Sequence, residues 1–244
     1  MSGRRLLVDA GNTRVKWAVV ANGRWLAQGA SEYGDWSALD GQLAARLPAY
    51  VASVAGKERE GQLAALLASW DLQPIWLSAE MACAGVKNGY MDPRQLGVDR
   101  WMGLIAARRR TRAAALVISA GTAMTVDALS SSGEFLGGII VPGATLMRQS
   151  LRQGTSRVAD TGGVWRAFPR TTGDAVASGV IAALCGAIQE QHAYVASAAG
   201  AAPHCLITGG DAELLLPHLR FPVEYVPALV LEGIDCVAGE GMAR

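Results

Sequence analysis

The sequence has few charged residues, and that shortage excludes several classes of protein. Charged residues make up 18% of the 244 residues, and the formal net charge is only +1. Globular proteins typically carry roughly 25% charged residues. A chain so close to neutral lacks the basic surface with which proteins bind nucleic acids or anionic membranes. No uninterrupted apolar run reaches the ~20 residues of a membrane-spanning helix, so we expect neither a nucleic-acid partner nor a membrane.

Cysteine is also scarce, and the four residues that occur do not have the spacing of metal ligands: Cys83, Cys185, Cys205 and Cys236. We expect them to be small buried side chains in a reducing compartment. The segment after the basic N-terminal residues contains Asp9, Asn12, Arg14 and Lys16, so it does not have the apolar core of a signal peptide. The sequence therefore predicts a cytoplasmic protein.

The chain is organised around a glycine-bearing hairpin near its start. An apolar run, Leu6–Val8, predicts a buried strand that ends at a polar turn spanning Asp9 to Thr13. A second strand follows and ends before Asn22-Gly23, a dipeptide typical of two-residue hairpin turns. Gly11 has no Cβ, so the backbone can approach a ligand there and can adopt a positive φ.

The turn brings together a carboxylate, an amide, a hydroxyl and an ammonium group, from Asp9, Asn12, Thr13 and Lys16. This set suits a metal-bound polyphosphate, with the lysine and the turn amides facing phosphate oxygens and the aspartate facing hydrated magnesium. The alternative is an ordinary hairpin whose polar side chains satisfy turn amides. Both interpretations stay open for this turn alone.

The same pattern occurs a second time. Residues 116–122 repeat the pattern of residues 6–12 position for position, with Ser119 in place of Asp9 and Thr122 in place of Asn12. Here too a strand, a turn and another apolar strand follow. A pattern that occurs twice at this separation indicates a duplicated architecture. Two facing units of this kind would hold the phosphates of one nucleotide between two lobes, as in actin-like and sugar-kinase folds.

The rest of the chain predicts mixed sheets flanked by helices. Expected helices cover 36–47, 58–70, 99–112, a segment from about 144, 173–199, 213–219 and 229–238. Further expected strands cover 24–30, 50–55, 74–77, 204–207 and 223–226. The predicted fold is α/β, with duplicated actin-like (ribonuclease H-like) lobes at residues 1–113 and 114–244 and a nucleotide cleft between the lobes.

A long polar loop, residues 83–98, precedes the helix that begins near Asp99. Loops of this length inside a compact domain are more often functional than not. Asp99 itself could be no more than a helix N-cap. Four arginines end the same helix, where cations complement the helix dipole: Arg108, Arg109, Arg110 and Arg112. No aromatic residues alternate with them, so we interpret them as a solvated face rather than a nucleic-acid patch.

Five motifs in order carry a resemblance to a known family: Asp9-Ala10-Gly11-Asn12-Thr13, Gly97-Val98-Asp99-Arg100, Ala120-Gly121-Thr122-Ala123, Gly137-Gly138 with Pro142-Gly143, and Thr208-Gly209-Gly210-Asp211. With them the chain resembles type III pantothenate kinases over essentially its full length. The resemblance implies phosphorylation of pantothenate to 4'-phosphopantothenate by ATP with Mg²⁺, the first step of coenzyme A biosynthesis. It also implies a homodimer whose substrate pocket lies at the interface.

The resemblance further implies roles for individual residues. Those expected to bind ATP are Asp9, Ala10, Gly11, Asn12, Thr13, Arg14, Val15, Lys16, Thr122, Gly209 and Gly210, with Asp9 holding magnesium through water. Those expected to bind pantothenate are Tyr90, Gly97, Val98, Asp99, Arg100 and Thr172. Thr172 would act from the neighbouring subunit. The alternative for Tyr90 and Thr172 is ordinary loop packing.

The expected chemistry is an in-line attack of a primary hydroxyl on the γ-phosphorus of ATP. Asp99 would accept the hydroxyl proton as the general base. Arg100 offers a planar fork for the pantothenate carboxylate.

One position departs from the family pattern. The family usually has an aspartate where Ser119 stands, and that aspartate implies a site for an activating K⁺ or NH₄⁺ ion. A neutral serine is a poorer cation ligand than a carboxylate. The site is therefore weakened, absent, or supplied by backbone carbonyls and a neighbour such as Asp127, which could equally be a plain polar residue on an edge strand. We predict a reduced requirement for a monovalent cation.

Three alternatives stay open at this point. The chain could be another actin-like kinase that acts on a sugar or a small acid, or an accessory transcription factor derived from the same family. It could also be a degenerate kinase, although the complete set of Asp9, Lys16, Asp99 and Arg100 argues against lost turnover.

Overall fold

The structure is a computed structural model that describes residues 3–36, 39, 43, 47–155 and 162–241. Its strands in chain order are β1 (Arg4–Ala10), β2 (Arg14–Ala21), β3 (Arg24–Glu32), β4 (Ala49–Ser53), β5 (Pro74–Trp76), β6 (Ala82–Cys83), β7 (Val86–Lys87), β8 (Ala115–Ala120), β9 (Ala123–Leu129), β10 (Phe135–Pro142), β11 (His204–Thr208) and β12 (Glu224–Tyr225). Its α-helices are α1 (Lys57–Ser69), α2 (Val98–Arg110), α3 (Ala144–Gly154), α4 (Thr172–Ala199), α5 (Ala212–Leu215) and α6 (Leu229–Gly241). The chain divides into two compact units, Met1–Arg110 with Ala228–Arg244, and Thr111–Pro227.

The two units contain five-stranded sheets of identical topology. The strand orders are β3-β2-β1-β4-β5 and β10-β9-β8-β11-β12. In each sheet the first three strands pair antiparallel, and the last two run parallel to the central strand. The repeated hairpins of the sequence thus begin two copies of one architecture. The predicted duplication and α/β fold are confirmed.

The first hairpin has the predicted turn. Asn22 and Gly23 both have positive φ, 51° and 73°, as the connection between β2 and β3. Positive φ at both central residues is the signature of the type I′ turn, whose twist matches that of the flanking strands.

Both faces of the first sheet are buried, and one apolar cluster lies on the face that helix α1 covers. Leu6 and Val8 of β1 share that face with Trp17 of β2, because side chains along a strand alternate between faces. Helix α1 covers the face with Leu63 and Leu67, which are almost fully buried. Helices α2 and α6 contact the sheet as well as each other.

Helix α6 returns to the first unit although it ends the chain. The Arg5 guanidinium of β1 donates to the Asp235 carboxylate, with an Nε–Oδ1 distance of 2.9 Å in a buried setting. Gly233 lies so close to α2 that a Cβ there would be 2.0 Å from the Met102 carbonyl oxygen. The lobe boundary predicted near residue 113 instead assigned α6 to the second lobe. Hydrophobic periodicity along a helix does not show which sheet that helix covers.

The second unit has its core between the sheet and the long helix α4. Val180, Leu184 and Ile188 pack against strand residues such as Leu116 and Ile118. Helix α4 is long and apolar enough to cross a membrane by length and composition alone, which is weak evidence because core helices meet the same test. Only 39% of its most apolar window is buried, so part of its apolar surface faces outward.

Most other predicted elements are found with small shifts in their ends. The predicted helix over 36–47 lies largely outside the described residues. All four cysteines are free thiols, but only Cys185 and Cys205 are buried, whereas Cys83 and Cys236 are partly exposed. The expectation that all four would be buried is therefore wrong for two of them.

Candidate active site

The predicted phosphate turn lies where β1 ends. Strand β4 runs parallel to β1, and the Val54 N–H donates to the Ala10 carbonyl at 3.1 Å just beyond both strands. The turn is closed by the Gly11 N–H, which donates to the Arg14 carbonyl at 3.1 Å. Asn12 and Thr13 are exposed at its tip. The parallel pairing therefore presents this turn at the carboxyl edge of the sheet, where open α/β sheets bind ligands.

Gly11 is required for space in the turn and not for its backbone angle. Gly11 does not have a left-handed φ. Instead, a Cβ at this position would lie 3.2 Å from the Arg14 carbonyl oxygen, closer than an ordinary van der Waals contact. The glycine therefore permits a tight turn rather than an unusual backbone angle.

The remaining residues of the turn differ in how far their side chains are buried. Ala10 and Val15 are almost completely buried, so their side chains support the turn from the core. Arg14 is exposed, and Lys16 is partly buried. Any direct contact of Ala10 or Val15 with a ligand is thus confined to backbone atoms.

Asp9 lies in an unusual electrostatic environment. It is the cross-strand neighbour of Lys16. Burial raises the pKa of Asp9 to about 7, the positive charge of Lys16 opposes that rise, and the carboxylate of Asp99 adds to it. The charge of Asp99 thus acts on the carboxyl group of Asp9 within the first unit. A divalent cation at this place would stabilise the ionised form of Asp9.

Asp99 is the second residue of α2 rather than its N-cap. The helix begins at Val98, and the Trp101 N–H donates to the Gly97 carbonyl at 3.0 Å, so Gly97 has the capping place. The Asp99 carboxylate accepts the N–H of Arg100 at 2.8 Å. Burial raises the pKa of Asp99, and the N–H and charge of Arg100 oppose that rise.

Gly97 leaves room for the carboxylate that follows it. A Cβ at Gly97 would lie 2.7 Å from Oδ1 of Asp99. Val98 between them is almost fully buried, so its side chain belongs to the core. Residues 97–99 thus present a carboxylate and backbone polar groups to a ligand. The buried side chain of Val98 fixes them to the core.

Arg100 and Tyr90 form a pair within the same unit. The Arg100 guanidinium is buried, and its Nη1 donates to the Tyr90 hydroxyl at 3.0 Å. The guanidinium carbon also lies 5.7 Å from the centre of the tyrosine ring. Tyr90 is therefore hydrogen-bonded to Arg100, and its part in binding pantothenate stays a prediction.

The second unit contains the turn with Thr122. The Gly143 N–H donates to the Thr122 carbonyl at 2.9 Å, and a Cβ at Gly143 would lie 2.0 Å from the Gly121 carbonyl oxygen. Thr122 itself is exposed. The Pro142-Gly143 motif thus supports this turn through a backbone contact that excludes any side chain.

Gly209 and Gly210 lie beside the end of β8 in the same unit. Gly209 has a φ of +102°, and a Cβ there would lie 2.1 Å from the Ala120 carbonyl oxygen. The same carbonyl accepts the Asp211 N–H at 3.0 Å. Gly210 faces open space, since a Cβ there would meet no atom within 4 Å. Gly209 is thus required by packing, and Gly210 leaves the surface open.

Thr172 lies in different surroundings from the other predicted pantothenate residues. It is the exposed first residue of α4. It lines an apolar groove of about 520 Å³ between α3 and α4, together with Met147, Leu151 and Val176. Within the second unit, Thr172 therefore belongs to a surface groove.

Asp127 is not an edge-strand residue. Strand β9 lies between β8 and β10, and Asp127 is almost completely buried. Its carboxylate accepts the Thr125 hydroxyl at 3.2 Å. Ser119 pairs with Thr125, and Asp127 pairs with Val117.

Among the described residues, no group of three or more His, Cys, Asp or Glu side chains could hold a metal ion.

Motif reasoning missed Tyr33, which follows β3. Its hydroxyl donates to the Gly11 carbonyl at 2.8 Å. The pairing of β2 with β3 could have indicated this contact, because Glu32, the residue before Tyr33, pairs with Arg14 of the turn.

Comparison with known proteins decides the family. The model of the type III pantothenate kinase family matches residues 5–194. The type III pantothenate kinase of Thiobacillus denitrificans is 58% identical over 241 residues, which cover 99% of each chain. The chain belongs to the type III pantothenate kinase family. The enzyme of Nitrosospira multiformis is 42% identical and covers 96% of this chain and 91% of its own.

Family membership establishes the activity of this pantothenate kinase. It is a transferase that phosphorylates pantothenate in coenzyme A biosynthesis, and its kinase fold implies ATP as the phosphoryl donor. The predictions of family, activity and ATP use are confirmed. A sugar or a small acid as the substrate is therefore not the favoured interpretation.

Solved structures show the same fold at low identity. The ethanolamine utilization protein EutJ of Carboxydothermus hydrogenoformans has a TM-score of 0.56 at 14% identity and covers 96% of this chain and 89% of its own. A Campylobacter jejuni protein provisionally described as a Baf family transcriptional activator has a TM-score of 0.64 at 21% identity, covering 98% and 100% of the two chains. At such identities these similarities concern the fold alone.

Neighbouring glycines provide a test of the loop at β11. We expect Gly209→Ala to lower the free energy of unfolding by about 2 kcal/mol or more, because alanine is strained at positive φ and would overlap the Ala120 carbonyl. Gly210→Ala is the matched control, and we expect little change. Urea denaturation of both variants measures the difference. Equal stabilities would contradict the described packing of this loop.

Proposed function

We propose that Asp99 is the general base of pantothenate phosphorylation and accepts the proton of the primary hydroxyl during the attack on the γ-phosphate. The observation that carries this proposal is the geometry at the start of α2, where the Arg100 N–H donates to the Asp99 carboxylate at 2.8 Å and the buried Arg100 side chain donates to the Tyr90 hydroxyl. The effect of the Asp99 charge on the pKa of Asp9 also supports a substrate hydroxyl at Asp99 beside phosphates at the turn that contains Asp9.

The local structure supports the role of Asp99. A base must lie within hydrogen-bond reach of the hydroxyl, and a pKa closer to the working pH improves proton transfer. The hydrogen bond from the Arg100 N–H orients one carboxylate oxygen, which leaves the other for the substrate. Burial, by raising the pKa of Asp99, makes the carboxylate a stronger base than a solvated aspartate.

Arg100 is our candidate for binding the pantothenate carboxylate. Its guanidinium is oriented by Tyr90 and has lost most of its contact with water. A planar guanidinium can bind a carboxylate through two parallel hydrogen bonds, and such bonds strengthen away from bulk water. Tyr90 and the backbone of Gly97 and Val98 would complete this part of the pantothenate site.

We assign the ATP phosphates to the turn from Asp9 to Lys16 and to Thr122, and adenosine to Gly209 and Gly210. Lys16 supplies positive charge, and the open surface at Gly210 allows a planar ligand to approach the backbone. The donor set also fits magnesium, because Asp9 is a carboxylate whose ionised form needs a nearby cation. Bound there through water, magnesium would neutralise charge on the transferring phosphate.

The residues present fit a monovalent cation poorly. Position 119 supplies a hydroxyl instead of a carboxylate, and Asp127, two pairs farther along the strands, accepts the hydroxyl of Thr125. Hydroxyl oxygens without a carboxylate bind potassium or ammonium weakly. We propose that this enzyme depends less on such an ion than the family pattern implies.

The groove between α3 and α4 is our candidate for the homodimer interface. A helix that is apolar on most sides is normally buried, yet α4 leaves much of its apolar surface uncovered. Exposed Leu151 on α3 and the small residues Gly179 and Ala183 on α4 line the groove. Because Thr172 lies in this groove, the arrangement supports Thr172 acting at an interface. We also propose a cytoplasmic location, in keeping with four free thiols.

Asp99→Asn tests the assignment of the base. We expect kcat to fall by about 10²–10⁴-fold, the usual contribution of a general base, with a smaller change in the KM for pantothenate. Asp71→Asn, in the exposed turn after α1, is the control. Near-normal turnover by folded Asp99→Asn would refute the assignment.

The same variant has a predicted stability signature. A carboxyl group whose pKa is raised by folding stabilises the protein at low pH, and this contribution is lost as the pH rises through the raised pKa. At pH 8 the wild type therefore carries the cost of a buried charge that asparagine avoids. We expect Tm of Asp99→Asn to equal or exceed that of the wild type at pH 8, measured by calorimetry.

Cation dependence is tested with potassium against tetramethylammonium at equal ionic strength. We expect wild-type turnover to agree within about twofold in the two salts, because the hydroxyl at position 119 is a weak ligand. Ser119→Asp should make turnover depend on potassium, whereas Ser132→Asp, in the exposed turn between β9 and β10, should not. Strong potassium activation of the wild type would contradict the proposal.

Adjacent alanines on α4 test the dimer interface. Ala183 lines the groove, and Ala182 is exposed outside it. We expect Ala183→Arg to shift the molar mass measured by light scattering from dimer to monomer, because an arginine would be buried without a partner. Ala182→Arg should remain a dimer. A wild-type monomer, or a dimer that tolerates Ala183→Arg, would exclude this face.

A further inference from the structure

We infer that Tyr33 is a positioning residue for ATP: its hydroxyl fixes the Gly11 carbonyl and so orients the next backbone amide toward the phosphates. The inference rests on the proposed binding of ATP phosphates by the turn from Asp9 to Lys16.

The contact comes from the edge of the hairpin. Tyr33 directly follows Glu32, the last residue of β3, which pairs with Arg14 at the end of the turn. The Tyr33 hydroxyl donates to the Gly11 carbonyl at 2.8 Å. The Gly11 N–H already donates to the Arg14 carbonyl at 3.1 Å. Both backbone polar groups of Gly11 are therefore held, one by the turn itself and the other by a side chain from β3.

The planarity of the peptide bond gives this contact a consequence. In a trans peptide the carbonyl and the following N–H point in opposite directions. When Tyr33 holds the Gly11 carbonyl, the Asn12 N–H must point away from Tyr33. Asn12 lies at the exposed tip of the turn. Tyr33 thereby fixes an amide donor where a phosphate oxygen can be bound, before any ligand arrives.

Two neighbours hold the tyrosine ring in place. The Trp36 ring meets it edge-on at 90°, with 6.3 Å between the ring centres. The Arg59 guanidinium, in the first turn of α1, lies 5.1 Å from the centre of the tyrosine ring. Burial raises the pKa of Tyr33, so its hydroxyl remains a protonated donor at neutral pH. The hydrogen bond to Gly11 therefore comes from a side chain with little freedom to turn away.

Tyr33→Phe separates the hydroxyl from the packing of the ring. The substitution keeps the contacts with Trp36 and Arg59 and removes only the donor to Gly11. Tyr50→Phe is the matched control, because Tyr50 lies on β4 of the same unit and its hydroxyl has no hydrogen bond within the described part of the chain. Lys16→Met tests independently whether the turn binds ATP. For all four proteins the KM values for ATP and pantothenate, kcat and Tm are measured.

We expect Tyr33→Phe to raise the KM for ATP about 3- to 10-fold, the factor that corresponds to one net hydrogen bond. The KM for pantothenate and Tm should match those of Tyr50→Phe, and Lys16→Met should also raise the KM for ATP. If Tyr33→Phe equals Tyr50→Phe while Lys16→Met weakens ATP, the inference is overturned and the phosphate turn stands.

Two other outcomes also overturn the inference. If neither Tyr33→Phe nor Lys16→Met changes the KM for ATP, the proposed phosphate site fails together with the role of Tyr33. If Tyr33→Phe raises the KM values for both substrates equally and lowers Tm, the hydroxyl stabilises the fold and does not position ATP.

Discussion

The structure depends on one constraint, the parallel pairing of the central strand with the next strand of each sheet. Parallel neighbours end at the same edge, so the chain leaves both strands there and returns through a crossover. In the first unit the edge formed by β1 and β4 carries the Asp9 turn. In the second unit the edge formed by β8 and β11 carries the Thr122 turn and Gly209. The positions of the proposed ATP-binding residues in both units follow from this pairing.

In the first unit, the burial of two carboxyl groups is electrostatically unfavourable. Burial opposes ionisation of both Asp9 and Asp99, and Lys16 compensates only in part for Asp9. A hydrophobic or neutral replacement would be more favourable for folding alone, which is a common property of catalytic sites. In the proposed mechanism this burial is useful, because bound magnesium would stabilise ionised Asp9 and Asp99 would accept the proton of the substrate hydroxyl. We interpret the site as one that substrate binding stabilises.

In the second unit the proposed site residues are held by contacts between backbone atoms and not by charged side chains. Gly143 and Gly209 both lie against carbonyl groups at the end of β8, where no side chain would fit. Backbone packed against backbone leaves little freedom for rotation, so the turn with Thr122 keeps its shape without a ligand. The two halves of the duplicated fold have thus diverged, one toward charged side chains and the other toward a fixed backbone.

The sequence predicted those features that have a local signal. The hairpins and the Asn22-Gly23 turn were found because apolar runs and turn residues lie next to each other in the chain. Features decided by distant contacts could not be found in this way. The return of α6 to the first unit depends on Arg5 and on close packing at Gly233.

Other differences concern strand order and single contacts. The alternative that Asp127 lies on an edge strand required β9 to be at the edge of its sheet. In the structure β9 lies between β8 and β10. The contact of Tyr33 with Gly11 joins residues from two strands and has no motif of its own. The proposed roles of Asp99 and Arg100 come from the family resemblance, and their hydrogen bonds are seen only in the structure.

The most direct test of the central claim is a crystal structure with pantothenate and a non-hydrolysable ATP analogue. The account predicts that an Asp99 carboxylate oxygen lies about 2.6–3.2 Å from the primary hydroxyl of pantothenate, the reach of a general base. It also predicts that Arg100 binds the pantothenate carboxylate. A hydroxyl placed against another side chain, with Asp99 directed away from the substrate, would contradict the account.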